Sequence, residues 1–361
     1  MKNKNHYVAI MAGGIGSRFW PMSRTALPKQ FLDILDTGQT LLQSTFERYR
    51  SFILIENIYI VTSECYVDIV RKQLPELPEV NIIGEPSRKN TAPCIAYISM
   101  KLLKRNPEAN IIVAPSDHLI SGQKEFETDC MTGLNLAAKK DVIITMGIKP
   151  DRPSTGYGYI QSISTNLNSE PRQVLRFTEK PDRTTAEAFL KNDAYLWNSG
   201  IFIWNANTIV GAFKKHVPDI FDLFVNGMPD YNTTHEKATI QRIYAGCQSI
   251  SIDYAILEKS DNVFVIPAGF EWSDLGTWNS AWENRPKDAA QNAISGSNIL
   301  LLNSKGCIVH SDDEKLVLIG GVDDLIIVNT PDAIMICKKE NEQEIKTYLK
   351  TINQATGDIY L

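Results

Sequence analysis

Residues 8–31 read VAIMAGGIGSRFWPMSRTALPKQF, and this stretch decides the fold. Val8–Met11 is a run of apolar residues without polar alternation, the pattern of a strand buried on both faces of a parallel sheet. It ends in Ala12, Gly13 and Gly14, with Gly16 and Ser17 close behind, so a glycine-rich turn leaves the carboxyl end of a first strand. Such a turn lets backbone N–H groups approach phosphate oxygens closely. Arg18, Arg24 and Lys29 follow, enough positive charge to neutralise a triphosphate. A dinucleotide fingerprint would want a third glycine where Phe19 stands, and a P-loop would want Gly-Lys-Ser/Thr where Gly16-Ser17-Arg18 stands. Taken alone, the glycine turn is equally a tight turn with a solvated basic face. The ordered cations and Pro28-Lys29 turn the reading towards phosphate binding.

Outward from this segment, the first 150 residues alternate buried-strand patterns with amphipathic ones. Strands are expected at Ile58–Thr62, Val80–Ile83, Ile111–Ala114 and Val142–Met146, and helices near 41–50, 64–74, 92–105 and 124–138. Asn90 or Thr91 can cap the third helix, with Pro93 in its first turn. The alternation predicts an α/β fold with a parallel sheet flanked by helices. Between 156 and 205, strands at Gly158–Ser162, Val174–Thr178 and Gly200–Trp204 extend it into a mixed sheet. Helices near 206–216, 235–244 and 252–259 and a strand at Val263–Pro267 follow. From about 290, short strands at Ile299–Leu302, Cys307–His310, Leu316–Ile319, Leu325–Val328 and Ala333–Cys337 recur between Asn, Ser, Gly and Asp turns. That spacing predicts a small β-structure of solenoid type, closed by a helix at Glu342–Lys350. Domain boundaries are therefore expected at 1–290 and 291–361.

Length, composition and charge exclude whole classes. The 361 residues are 43% hydrophobic and 22% charged, a globular composition with room for about two domains. A formal net charge of −5 steers the chain to neither nucleic acid nor an acidic membrane, so any nucleotide site must be a local basic patch. The six cysteines are scattered without a CxxC pair, as expected for reduced thiols of a cytoplasmic protein. The apolar run Tyr7–Ala12 is too short for a signal peptide, and no stretch reaches the roughly 20 residues of a membrane span.

The ordered loop Gly13 to Phe31 resembles the GGxGxRLxPLTxxxPK signature of the nucleotidyltransferases that make sugar nucleotides, and within them the mannose-1-phosphate guanylyltransferase branch. Phe19 stands where that branch often has Leu. Further motifs follow in the family's order over residues 8–280: Glu85-Pro86-Ser87-Arg88-Lys89-Asn90-Thr91-Ala92, Ser116-Asp117-His118, Gly156-Tyr157-Gly158-Tyr159, Glu179-Lys180-Pro181, Asn198-Ser199-Gly200 and Trp272-Ser273-Asp274-Leu275-Gly276. The tail from 296, with Val328-Asn329-Thr330-Pro331, resembles the small β-domain of the same branch. The resemblance implies a Rossmann-like (GT-A-like) catalytic domain and a left-handed β-helix-like tail. No phosphomannose isomerase half is expected after residue 361.

The resemblance also implies roles. Ala12, Gly13, Gly14, Gly16 and Ser17 would cradle the nucleotide, Arg18 and Lys29 would grip its β- and γ-phosphates, and Glu85, Asn90, Thr91 and Ala92 would read guanine. Gly156, Tyr157, Gly158, Glu179, Asn198 and Gly200 would hold the sugar, and Lys180 its phosphate. Asp117, at the end of a strand where open α/β sheets place ligands, would join Asp274 in holding Mg²⁺, with Mn²⁺ as a substitute. Asp274 is alternatively the N-cap of the helix running to Trp282, and His118 reads as structural. The implied partners are GTP, mannose 1-phosphate, GDP-mannose and diphosphate, with the chain as a homodimer. The alternatives are another sugar 1-phosphate or base on the same scaffold, and a non-catalytic GDP-sugar-binding regulator.

Overall fold

The computed structural model describes residues 2–163 and 170–361. They form two compact units, one of Met1–Gly13, Phe46–Ser116 and Ile120–Trp272, the other of Gly14–Thr45, Asp117–Leu119 and Ser273–Leu361. We call them the sheet unit and the β-helix unit. The packing division thus differs from a cut near residue 290, because the segment after Gly13 clusters with the C-terminal layers.

The strands of the first part of the chain are β1 (His6–Ala12), β2 (Ile58–Ser63), β3 (Ile82–Glu85), β4 (Asn110–Pro115), the short β5 (Leu119–Ser121), β6 (Ile143–Ile148), β7 (Tyr159–Ser162), β8 (Arg172–Thr178), β9 (Tyr195–Asn205) and β10 (Val263–Pro267). Nine of them make one sheet in the order β3-β2-β1-β4-β9-β6-β10-β8-β7, and β7 also pairs with β9. β1 is parallel to β2 and β4, whereas β9 runs antiparallel between β4 and β6. The sheet is mixed, as the change of pattern after residue 156 predicts. Its central strands are buried on both faces, which is why they carry unbroken apolar runs.

Helices α1 (Leu41–Arg50), α2 (Val67–Gln73), α3 (Thr91–Arg105), α4 (Gln123–Ala137), α5 (Arg183–Leu190), α6 (Ala206–His216), α7 (Pro218–Gly227) and α8 (Glu236–Gly246) connect the strands. Asn90 caps α3, accepting from Thr91 N at 2.9 Å, and α3 is buried from Ala92 to Leu102 within the main core. Two expectations shift, and one helix, α7, lies outside them. Glu79–Asn81 is a 3₁₀ turn with Val80 exposed, so β3 starts at Ile82 and carries Glu85 at its end. Residues 252–259 hold a π-helical turn, Asp253–Leu257, in place of a regular helix. α7 follows α6 across the single residue Val217, its first turn set by Pro218.

In the last part of the chain, β11 (Glu271–Ser273) and α9 (Trp278–Asn284) precede β12 (Ala293–Gly296), β13 (Ile299–Leu302), β14 (Ile308–Ser311), β15 (Val317–Gly320), β16 (Leu325–Asn329) and β17 (Ile334–Lys338). β12, β14 and β16 stack in parallel, β13 and β15 form a second parallel pair, and β17 closes the first sheet antiparallel. This is the β-helix-like arrangement of coils. Ala293, Ile308 and Ile326 share a layer and pack with Phe19, Trp20 and Trp278, while Val309 and Ile327 face the other way, onto Ile319. Phe19, the residue that departs from the family's Leu, lies fully buried with its ring 5.1 Å from Trp278. The closing helix α10 (Ile345–Thr356) starts after a 3₁₀ turn at Lys339–Glu344 and runs to Gly357, later than expected, since nothing before Gly357 breaks it.

All six cysteines are free thiols, and only Cys65 is exposed. No helix among the described residues is long and apolar enough to cross a membrane.

Candidate active site

The glycine loop is held by its carbonyls. Gly14 O accepts from Gln30 Nε2 (3.0 Å), Ile15 O from Ser23 Oγ (2.8 Å), Gly16 O from Phe19 N (3.0 Å) and Ser17 O from Trp20 N (3.2 Å). A backbone anchored through four successive acceptors is fixed without using the N–H groups that an anion would need. Gly16, at φ +66°, has a second duty: a Cβ there would lie 2.5 Å from both Cβ and Cγ of Lys29. Glycine therefore lets the lysine pass beneath the loop.

Lys29 is buried, its Nζ 2.9 Å from Asp117 Oδ2. It also donates to the carbonyls of Asp274 (3.1 Å) and Leu275 (3.0 Å). Leu275 sits at φ 43°, a costly left-handed conformation for a branched residue, with its carbonyl turned to the lysine. Burial alone would raise the Asp117 carboxyl, but the charge of Lys29, then His118 and the Lys29 hydrogen bond, hold it below the ordinary value. One cation thus ties together two carboxylate-bearing segments that stand far apart in the sequence. The Asp274 carboxylate accepts from Gly276 N at 3.1 Å, and the cap of α9 is Thr277, which receives Ser280 N, so the N-cap alternative for Asp274 does not hold.

The other loop cations point elsewhere. Arg18 donates from Nε to Gln343 Oε1 at 2.9 Å. Arg24 pairs with Asp332 at 2.8 Å, bonds the Pro21 and Tyr360 carbonyls, and lies over the Trp20 ring. Arg24 thereby ties the loop to the C-terminal segment.

In the sheet unit, Ala12 ends β1 with its carbonyl receiving Thr62 Oγ1 at 2.7 Å. A Cβ on Gly13 would come within 4.0 Å of Glu85 Oε2. Glu85 accepts on Oε1 from the Tyr244 hydroxyl at 2.7 Å, a contact from α8 that sequence reading does not reach. Burial pushes its carboxyl up to about 7, and the Tyr244 hydrogen bond opposes the rise. Thr91 Oγ1 accepts from Ile252 N (2.9 Å) and Ala92 N donates to Ile250 O (3.1 Å), so both brace the turn before Asp253.

The motifs read as sugar-holding do come together. Gly158 O accepts from Asn198 N at 2.8 Å, and a Cβ on Gly158 would lie 2.5 Å from Glu179 Oε2, so only glycine admits that carboxylate. Lys180, at φ 46°, bonds Glu179 Oε1 at 2.8 Å, and this hydrogen bond, with the charges of Glu179 and Asp253, raises its ammonium above the ordinary value against the effect of burial. The Tyr157 ring stands edge-on to Trp197 and Trp272, 5.0 and 5.3 Å away. Gly156 N donates to Ser154 Oγ at 3.3 Å, and Gly200 N to Asn198 Oδ1 at 3.2 Å. Asn198 Nδ2 donates to Asp253 Oδ1 at 3.1 Å, bringing in a carboxylate that no quoted motif contains.

No cluster of three or more His, Cys, Asp or Glu side chains suited to a metal occurs among the described residues. The hard carboxylates of Asp117 and Asp274 nevertheless suit Mg²⁺ or Mn²⁺, because Mg²⁺ is usually held by one or two carboxylates plus substrate phosphates. Asp117 already carries one cation, the Lys29 ammonium.

Residues 7–291 match the family model described as Nucleotidyl transferase, and residues 297–352 the one described as MannoseP isomerase/GMP-like beta-helix domain. The chain is 37% identical over 350 residues to a mannose-1-phosphate guanylyltransferase of Klebsiella pneumoniae, covering 96% of this chain and 73% of that one. The same figures hold for the protein so named in Escherichia coli. Identity is also 37%, over 349 residues, to the alginate biosynthesis protein AlgA of Pseudomonas fluorescens, covering 95% of this chain and 71% of the relative. A solved structure from Thermus thermophilus, described as a mannose-1-phosphate geranyltransferase, has a TM-score of 0.85 at 26% identity, covering 97% of this chain and 99% of that one.

Proposed function

Since the chain belongs to the nucleotidyl transferase family, among the mannose-1-phosphate guanylyltransferases, we propose that it joins GTP and α-D-mannose 1-phosphate to give GDP-mannose and diphosphate. The observation that carries the reading is Lys29, buried beneath Gly16 and bonded to both the Asp117 carboxylate and the Asp274–Leu275 backbone. An oxygen of the sugar phosphate, already anionic, attacks the α-phosphorus of GTP in line. Diphosphate leaves, and no general base or covalent intermediate is needed. Catalysis is positioning and charge neutralisation.

Each unit has its share of this work. In the β-helix unit, the N–H groups of Gly14, Gly16 and Ser17 receive phosphate oxygens, and Lys29 with Arg18 neutralises the charge that grows on diphosphate. For Arg18 this requires leaving Gln343. Asp117 and Asp274 are the residues that would hold Mg²⁺, whose chemistry there is charge neutralisation at the phosphates. In the sheet unit, ionised Glu85 accepts from guanine N1–H and the exocyclic amine, a pairing that adenine cannot reproduce. Lys180 transfers from Glu179 to the sugar phosphate, and Glu179 and Asn198 meet sugar hydroxyls.

The chain works in the cytoplasm, as a homodimer. Leu300, Leu302, Leu316 and Leu318, each 53–65% exposed around the β13–β15 pair, support association through that face, since contiguous exposed aliphatic surface marks contacts. The test is a diphosphate-release panel over GTP, ATP, UTP and dTTP with mannose, glucose and heptose 1-phosphates. Release confined to GTP with mannose 1-phosphate supports the reading, and a different preferred pair refutes it.

A further inference from the structure

The Asn198 side chain is held at three points in the sheet unit. Its Oδ1 accepts from Thr145 Oγ1 at 2.8 Å and Gly200 N at 3.2 Å, and its Nδ2 donates to Asp253 Oδ1 at 3.1 Å. An amide offers two acceptor lone pairs and two donor hydrogens. The oxygen is therefore filled, and one N–H remains. Two of the contacts also fix which end of the amide is which. A backbone N–H only donates and an ionised carboxylate only accepts, so Gly200 and Asp253 together forbid the flipped amide.

We propose that Asp253 is a positioning residue for the sugar phosphate, locking Asn198 so that its remaining N–H is presented as a donor to a sugar oxygen. This rests on the reading of Asn198 as a sugar contact. Asp253 opens the π-helical turn Asp253–Leu257, a wide turn frequently found at functional sites. The strand on which Asn198 lies, β9, shifts register against β6 between Thr145 and Gly147, and Gly147 is the register partner of Asn198. Burial, then the neighbouring Glu179, push the Asp253 carboxyl up to about 6, with its own backbone N–H, Lys180 and Ser251 opposing. It is therefore ionised, and an acceptor, at neutral pH.

The test uses initial rates for the wild type, Asp253→Ala, Asn198→Ala and the double variant, since alanine leaves no acceptor at position 253 whereas asparagine would keep one. Asp253→Ala raises the KM for mannose 1-phosphate about tenfold, with the KM for GTP within about twofold, the size of one hydrogen bond to the substrate. In the Asn198→Ala background the same change adds nothing, because both remove one contact. Thr145→Val loosens the other end of the amide and raises the same KM, while Thr145→Ser keeps the wild-type value. This pair decides the matter if Asp253→Ala folds poorly. A wild-type KM in Asp253→Ala, or additive effects in the double variant, overturns the proposal. If Asn198→Ala keeps the wild-type KM in an active enzyme, the positioning role falls with the Asn198 assignment. A wild type that turns over GTP but not mannose 1-phosphate defeats the functional reading itself.

Discussion

Glu85→Gln is expected to stabilise the ligand-free protein at alkaline pH while removing its preference for GTP. Folding raises the Glu85 carboxyl from an ordinary 4.5 to about 7, chiefly by burial. A group raised in the folded state binds its proton more tightly there. Its contribution to stability is fully present below pH 4.5 and is lost as pH rises through 7, where the buried carboxylate must ionise. The loss amounts to about 3 kcal/mol above pH 8. Glutamine is uncharged and still offers an oxygen to the Tyr244 hydroxyl, so it escapes this cost. At pH 8 the variant should melt higher by about 4 °C, whereas at pH 5 the gain is less than about 1 kcal/mol. Thermal denaturation of both proteins at the two pH values, without ligand, measures the difference. Equal shifts at pH 5 and pH 8, or a lower melting temperature at pH 8, would refute the argument that a buried, ionisable Glu85 is maintained for a ligand.

Other outcomes follow from the same contacts. Gly16→Ala sets a Cβ against the Lys29 side chain at positive φ, and should lower stability by about 1–3 kcal/mol and turnover at least tenfold. Asp274→Asn should lower kcat by about a hundredfold at an almost unchanged melting temperature, because the loop depends on the Asp274 carbonyl, which the variant keeps. Lys180→Ala should raise the KM for mannose 1-phosphate about tenfold or more and leave that for GTP alone, as read from initial rates.

The parallel core strands and the glycine loop are legible because their signals are local. An apolar run, a glycine cluster and a Pro-Lys pair lie within residues 8–31. The short β-layers are legible from their spacing. What stays hidden depends on distant pairs. Nothing near Arg24 announces that it belongs to Asp332 and the Tyr360 carbonyl, and nothing near Asp274 shows that its main chain serves Lys29. Tyr244 reads as an apolar helix position until its hydroxyl is seen on Glu85. Asp253 lies in a segment whose periodicity suggests an ordinary helix, and the π-turn that lets it reach Asn198 is a product of packing. β3 starts later than its pattern suggests because Val80, a strong strand former, is solvent-exposed in a 3₁₀ turn.

The central claim is that this chain transfers a guanylyl group to mannose 1-phosphate without a covalent intermediate. Phosphorus NMR of the purified protein incubated with GTP, mannose 1-phosphate and Mg²⁺ tests it most directly. The account predicts GDP-mannose and diphosphate appearing in equal amounts, with neither formed when the sugar phosphate is omitted. An unchanged spectrum from a protein that binds GDP-mannose tightly would contradict it and identify a regulator in place of an enzyme.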